Sequence, residues 1–154
     1  MKVGGLLETE SDQRFDNNQL VYGLTATAAK IDAFTENDVV ALHLNISEVN
    51  PFGNEAREAI LGSTLETYNR VDFEFLYIYN IGIKHLDTFE VNYRYFKEID
   101  AETAIKQANL DEFNFVTYRL GFKNNLFIAY SSGELPFDQQ SDQIFEVGFS
   151  YRFE

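Results

Sequence analysis

The sequence predicts an all-β chain: a single closed, antiparallel, up-and-down transmembrane β-barrel of about eight strands, with a short helix in one connection. Three observations predict it. Apolar and polar residues alternate with period two over long stretches, which sends successive side chains to opposite faces of a strand. The connections between those stretches alternate between long acidic ones and tight ones. The apolar rows are also too rich in Phe and Tyr for an eight-stranded interior, which is only wide enough to be filled by ordinary side chains.

Composition sets the bounds. A chain of 154 residues makes one domain, residues 1–154. It is 45% hydrophobic and 16% aromatic, yet its mean hydropathy is -0.27, so apolar and polar residues must be finely interleaved. A net charge of -13, with 12 Lys and Arg against 25 acids, argues against nucleic-acid binding, which needs clustered cations. With no Cys and two His residues, neither a disulfide, a thiolate metal site nor a His-rich metal site is expected. No cofactor is implied. No window approaches the roughly 18 uninterrupted apolar residues of a membrane-spanning helix. The start, Met1-Lys2-Val3-Gly4-Gly5, lacks the apolar core of a secretory signal, so for an exported protein it reads as a mature form with an added Met.

Residues 2–10 make a poor strand with no clear face. Over 19–31, Leu20, Tyr22, Leu24 and Ala26 oppose Val21, Gly23, Thr25 and Thr27; over 38–48, Val40, Leu42, Leu44 and Ile46 oppose Ala41, His43, Asn45 and Ser47. Between Pro51 and Tyr68 the pattern changes. Ala56, Ile60, Leu61, Thr64, Leu65 and Tyr68 recur at spacings of three and four, which reads as a short helix, with a strand at 59–67 competing. Over 71–83, Val71, Phe73, Phe75, Tyr77, Tyr79, Ile81 and Ile83 form one row, with Leu76 and Ile78 interrupting the polar row behind it. Over 88–98, Phe89, Val91, Tyr93 and Tyr95 alternate with Glu90, Asn92 and Arg94.

A tight turn at His85-Leu86-Asp87 would pair Lys84 with Thr88, placing Tyr77 beside Tyr95 and Tyr79 beside Tyr93. Ala101–Leu110 suggests a helical turn within a loop. Strands at 113–122 and 126–134 put Val116, Tyr118, Leu120 and Phe122 on one face with Leu126, Ile128 and Tyr130. A turn at Lys123-Asn124-Asn125 would close that hairpin with Phe122 opposite Leu126. The last strand, 143–153, alternates Phe145, Val147, Phe149, Tyr151 and Phe153 with Glu146, Gly148, Ser150 and Arg152.

The two faces demand opposite surroundings. Asp72, Glu74, Glu90, Arg94, Arg119, Glu146 and Arg152 share the small, polar face, where opposite charges can pair. Facing lipid, each Arg would cost about 2–4 kcal/mol near the midplane. The expected lipid-facing set is therefore Phe73, Phe75, Tyr77, Tyr79, Phe89, Val91, Tyr93, Tyr95, Tyr118, Leu120, Phe122, Leu126, Ile128, Tyr130, Phe145, Val147, Phe149, Tyr151 and Phe153. A soluble barrel with its charges outside is the alternative.

The segment Phe145-Glu146-Val147-Gly148-Phe149-Ser150-Tyr151-Arg152-Phe153 resembles the C-terminal strand of bacterial outer-membrane β-barrel proteins of the small, eight-stranded type. The resemblance is specific there and architectural elsewhere, and Glu154 after the terminal aromatic departs from it. It implies location in the bacterial outer membrane, contact with its lipid, and recognition of this strand by the barrel-assembly machinery. The function it implies is non-enzymatic: a polar, charged lumen and acidic extracellular loops in a structural, adhesion or envelope-interaction role, with the loop partner unnamed. A small pore, or the C-terminal part of a larger porin, is one alternative; a soluble lipocalin-like carrier of a hydrophobic ligand is another.

Candidate chemistry is sparse. His43, near Asn45 and Ser47, reads as a hydrogen-bonding interior residue and His85 as a turn residue, so neither is expected to be catalytic. Asp72, Glu74, Glu90 and Glu146 are more simply charge partners than acid–base pairs. The loop acids Glu55, Glu58, Asp100, Glu102, Asp111, Glu112, Asp138 and Asp142 lack the spacing of a calcium loop, so no metal site is expected.

Overall fold

A computed structural model of the protein describes residues 1–12, 15–62, 65–136 and 142–150. Among them the strands are β1 (Lys2–Ser11), β2 (Asn18–Ile31), β3 (Asp38–Gly53), β4 (Tyr68–Asn80), β5 (Leu86–Ile99), β6 (Glu112–Phe122), β7 (Leu126–Gly133) and β8 (Asp142–Phe149). Two short helices, α1 (Glu55–Leu61) and α2 (Thr103–Gln107), sit in the connections. Every strand pairs antiparallel with its neighbours in sequence, in one 8-stranded sheet ordered β1 to β8. Among the described residues no ladder joins β8 back to β1.

Alternation of direction puts the β1–β2, β3–β4, β5–β6 and β7–β8 junctions at one end, and 32–37, 81–85 and 123–125 at the other. The three short turns are fixed locally. At 32–37 the Asp38 carboxylate accepts from the backbone N–H groups of Ala33 (2.7 Å), Phe34 (3.2 Å) and Thr35 (2.9 Å). At 123–125, Asn125 takes φ 65 and its N–H donates to the Phe122 carbonyl at 3.0 Å. Tyr118 faces Tyr130 and Leu120 faces Ile128 across this hairpin, the register expected from the sequence.

The β4–β5 hairpin departs from expectation. Tyr77 pairs with Val91 and Tyr79 with Phe89, while Tyr93 faces Phe75 and Tyr95 faces Phe73. The ladder stops at Asn80–Thr88, because Gly82 turns the chain with φ 66 and Ile81 N–H bonds the Asp87 carbonyl at 2.9 Å. The turn is therefore residues 81–85, not His85-Leu86-Asp87. The shift is even, so each residue keeps its face.

The helix expected between Pro51 and Tyr68 forms as α1, overturning the competing strand where the two overlap. The Asn54 side chain caps it by accepting from Arg57 N–H at 3.0 Å, and Gly62 ends it with φ 84. β3 outlasts its expected end because Val49 and Pro51 remain paired with Val21 and Gln19. In the loop 100–111, α2 places Ala101 and Ile105 in the interior.

Polarity separates the two faces of the sheet. The buried side chains include Gln19, Asn45, Ser47, Arg70, Asp72 and Glu98, while Phe145, Val147, Phe149, Leu24 and Ile46 are 80%, 76%, 74%, 66% and 54% exposed on the opposite face. Ladder partners share a face, so the described members of the aromatic rows over β4–β8 all lie on this outer side. Tyr151 and Phe153 lie outside the described residues. A small apolar cluster of Val21, Val49, Phe96, Phe113, Ala101 and Ile105 is buried toward the long-loop end.

Candidate functional site

The candidate site is the polar interior. Its centre is Arg70, buried on β4 and gripped from two strands. Glu10 of β1 receives Arg70 Nη1 at 2.9 Å and Nη2 at 2.7 Å; Asp72, two residues along β4, meets Arg70 Nε at 2.6 Å and Nη2 at 3.1 Å. The guanidinium fork matches two carboxylates at once, as planar bidentate pairing requires. Its guanidinium carbon Cζ lies 5.2 Å from the Phe96 ring centroid. Gln19 donates to Glu10 and accepts from the Tyr68 hydroxyl at 3.3 Å. Because β1 and β4 are separated by two other strands, the Glu10–Arg70 contact also records how far the sheet has curled.

A second buried pair closes the long-loop end. Arg57 on α1 donates to Glu98 of β5 at 2.8 and 3.2 Å, and its guanidinium stacks 4.1 Å over the Tyr68 ring. Pairing and stacking together compensate the desolvation of an ion pair taken out of water. Outside it, Lys97 bridges Asp111 at 2.8 Å and Glu112 at 2.6 Å, and its hydrogen bond holds the Asp111 carboxyl below the usual carboxylate range.

Toward the turn end the contacts loosen. Arg119 stands 3.6 Å from Glu90 and 4.1 Å over the Phe127 ring, and Thr88 donates to Glu90 at 3.2 Å. Asn92 donates to Glu74, whose row also carries His43 and Arg94. The His43 ring is held between two hydroxyls, Thr25 at 3.1 Å from Nε2 and Thr27 at 2.8 Å from Nδ1. Between these groups a cavity of about 150 Å³ is lined by Glu8, Glu10, His43, Asn45, Glu74 and Arg94 among others. His85 lies in the 81–85 turn.

Of the charges expected inside, the interior thus gathers Asp72, Glu74, Glu90, Arg94 and Arg119. Glu146 shares their face, opposite Ala129 in the row that continues to Arg119. Arg152 lies outside the described residues. Sequence reasoning missed Glu10, Arg70, Arg57 and Glu98. Continuing the even-numbered row of β4 back one step from Asp72 reaches Arg70, and continuing that of β5 past Arg94 reaches Phe96 and Glu98. Arg57 carried no such signal, since a helix of seven residues has too few turns to declare a face.

Compared with known protein families, curated proteins and solved structures, the chain has no significant match. The functional reading therefore rests on geometry. Among the described residues no three His, Cys, Asp or Glu side chains converge to hold a metal ion. Among the described residues no helix is long and apolar enough to cross a membrane. What the interior can do chemically is hold opposite charges in fixed pairs across strands.

Proposed function

We propose that the chain is a closed, membrane-spanning β-barrel of the bacterial outer-membrane type, without enzymatic activity, whose polar interior is a structural plug and whose long acidic loops meet the envelope exterior. One observation carries the reading: the face bearing Arg70, Asp72 and Glu98 is buried, while the face bearing Leu24, Ile46, Phe145 and Val147 is exposed. Water would leave that outer face with many exposed large apolar side chains, the kind of surface that marks membrane or partner contact. Hydrocarbon reverses the sign of the same exposure. A carrier of hydrophobic ligands would need the opposite arrangement, with its apolar rows inside.

The loops at the long end contribute Asp12, Asp16, Glu55, Glu58, Glu66, Asp100, Glu102 and Glu134. Long loops outside and short turns toward the periplasm are the usual disposition of such barrels. The outward Phe145, Val147 and Phe149 of β8 would offer the assembly machinery its strand.

Neighbouring positions on β5 test the reading. A thiol replacing Tyr93 should be quenched by lipid-borne quenchers and shielded from water-soluble reagents, and Tyr93→Arg should destabilise the bilayer-folded state by about 2–4 kcal/mol near the midplane. A thiol replacing Asn92 should escape the lipid quenchers. If the chain is monodisperse without any amphiphile and the thiol at 93 is untouched by lipid quenchers, the membrane reading is overturned.

A further inference from the structure

One lateral row crosses all eight strands without a break: Lys2, Thr27, His43, Glu74, Arg94, Phe115, Gly133, Asp142. It begins on the first residue of β1 and ends on the first residue of β8. Those residues lie at opposite ends of the sheet, since β1 starts at the turn end and β8 starts at the long-loop end. Wrapping the sheet shut therefore brings Asp142 against the top of β1, not against Lys2. The distance climbed along β1 is the stagger of the barrel.

Geometry limits that stagger. Closed barrels tilt their strands by about 35–45°. With a rise of about 3.3 Å per residue and strands about 4.8 Å apart, eight strands at that tilt need a stagger of about eight to twelve residues. Only even values are allowed, because an odd one would set the inward Glu8 and Glu10 beside the outward Phe145 and Val147. Side chains choose among the three that remain. A stagger of about eight stacks Gly4 on Gly148 and sets Leu6 against Glu146. One of about twelve leaves the described part of β8 paired only from Phe145 to Phe149. The middle value sets Leu7 against Val147 and Thr9 against Phe145 outside. It also lays the Phe149 ring over the bare backbone of Gly5, the aromatic cover that edge glycines favour. Inside, Leu6 falls opposite Gly148, where the Phe127 ring already fills the space that a Cβ on Gly148 would take.

We infer that β1 and β8 seal on each other in this register, with Leu7 opposite Val147, Gly5 opposite Phe149 and Leu6 opposite Gly148. The inference rests on the membrane-spanning reading, because a strand edge in hydrocarbon has no water to satisfy its N–H and C=O groups. The two edges of one chain are the nearest partners for each other. Each register pairs one set of acids inside, here Glu8 with Glu146, so charge does not choose among them.

The chain has no Cys, so paired thiols report directly. In lipid vesicles, the double variants Leu7→Cys/Val147→Cys, Thr9→Cys/Phe145→Cys and Glu8→Cys/Glu146→Cys would be oxidised beside the ladder pair Tyr118→Cys/Tyr130→Cys as a reference. The Glu8 pair samples the opposite face, so one of the two pair geometries is close enough for a disulfide. An intramolecular bridge forming as readily as in the reference, with little in Leu7→Cys/Phe145→Cys or Leu7→Cys/Phe149→Cys, is the expected result. Preferential bridging of a shifted pair overturns the register while leaving closure standing. Bridges only between two chains, or none while the reference pair closes, overturn the seal. Flotation of the protein with the vesicles reports the membrane reading separately, so failure of one is not mistaken for failure of the other.

Discussion

Two arginines of the same interior face illustrate how burial decides the value of a charge. Arg70 is 3% exposed and shared by Glu10 and Asp72, so removing it strands two carboxylates away from water. Arg70→Met should lower unfolding stability by about 3–5 kcal/mol. Arg119 is 32% exposed with its carboxylate 3.6 Å away, a pair loosened by solvent. Arg119→Met should cost under about 1 kcal/mol. Urea unfolding midpoints of the folded chain measure both, and equal losses would show that the polar face is uniformly wet. At this scale the sequence was legible only in part. Parity placed Asp72, Glu74 and Arg94 inside, but which carboxylate meets which arginine depends on sheet curl, as with Glu10 and Arg70.

Strands are the level at which the sequence speaks most clearly, and a hairpin shows where its voice stops. Seven of the eight strands were legible by period two, which persists in a strand facing two different surroundings; β1, with Gly4-Gly5 and no clear face, was placed by count more than by pattern. The β4–β5 pairing was not legible, since any even slide keeps Phe73, Phe75, Tyr77 and Tyr79 on one face and the alternation is blind to it. The turn decides, through Gly82 and the Ile81–Asp87 bond. Glycines in mid-strand carry a separate message. A Cβ on Gly23 would stand 2.2 Å from the Ile46 carbonyl oxygen and 2.7 Å from Ser47 Cα, whereas one on Gly4 meets only Thr25 Cγ2 at 3.7 Å. Gly23→Ala must push β2 off β3 and should cost about 1–3 kcal/mol, while Gly4→Ala stays within about 0.5 kcal/mol. Thermal unfolding of the two variants side by side checks the difference; parity between them would mean that β2 and β3 are not pressed together at Gly23.

For the whole molecule, two ion-pair systems lie in series along the interior: Arg57–Glu98 near the loops and Glu10–Arg70–Asp72 below it, above a cavity of about 150 Å³. In the proposed closed barrel an ion would have to displace both. The wild-type protein should therefore show no steady conductance in planar bilayers, and a stable open level would favour a pore over a plug. The eight-stranded, up-and-down antiparallel order was readable because strand count, loop alternation and face chemistry agree with one another.

The Glu10–Arg70 contact has a meaning in time as well as in space. Each ladder joins neighbours along the chain, so each hairpin can zip on its own within microseconds or so. Glu10 and Arg70 stand 60 residues apart in sequence and meet only when four strands have already assembled and bent together. Their bond can form only after those four strands have paired and bent together, so it follows the local hairpins of that half of the sheet.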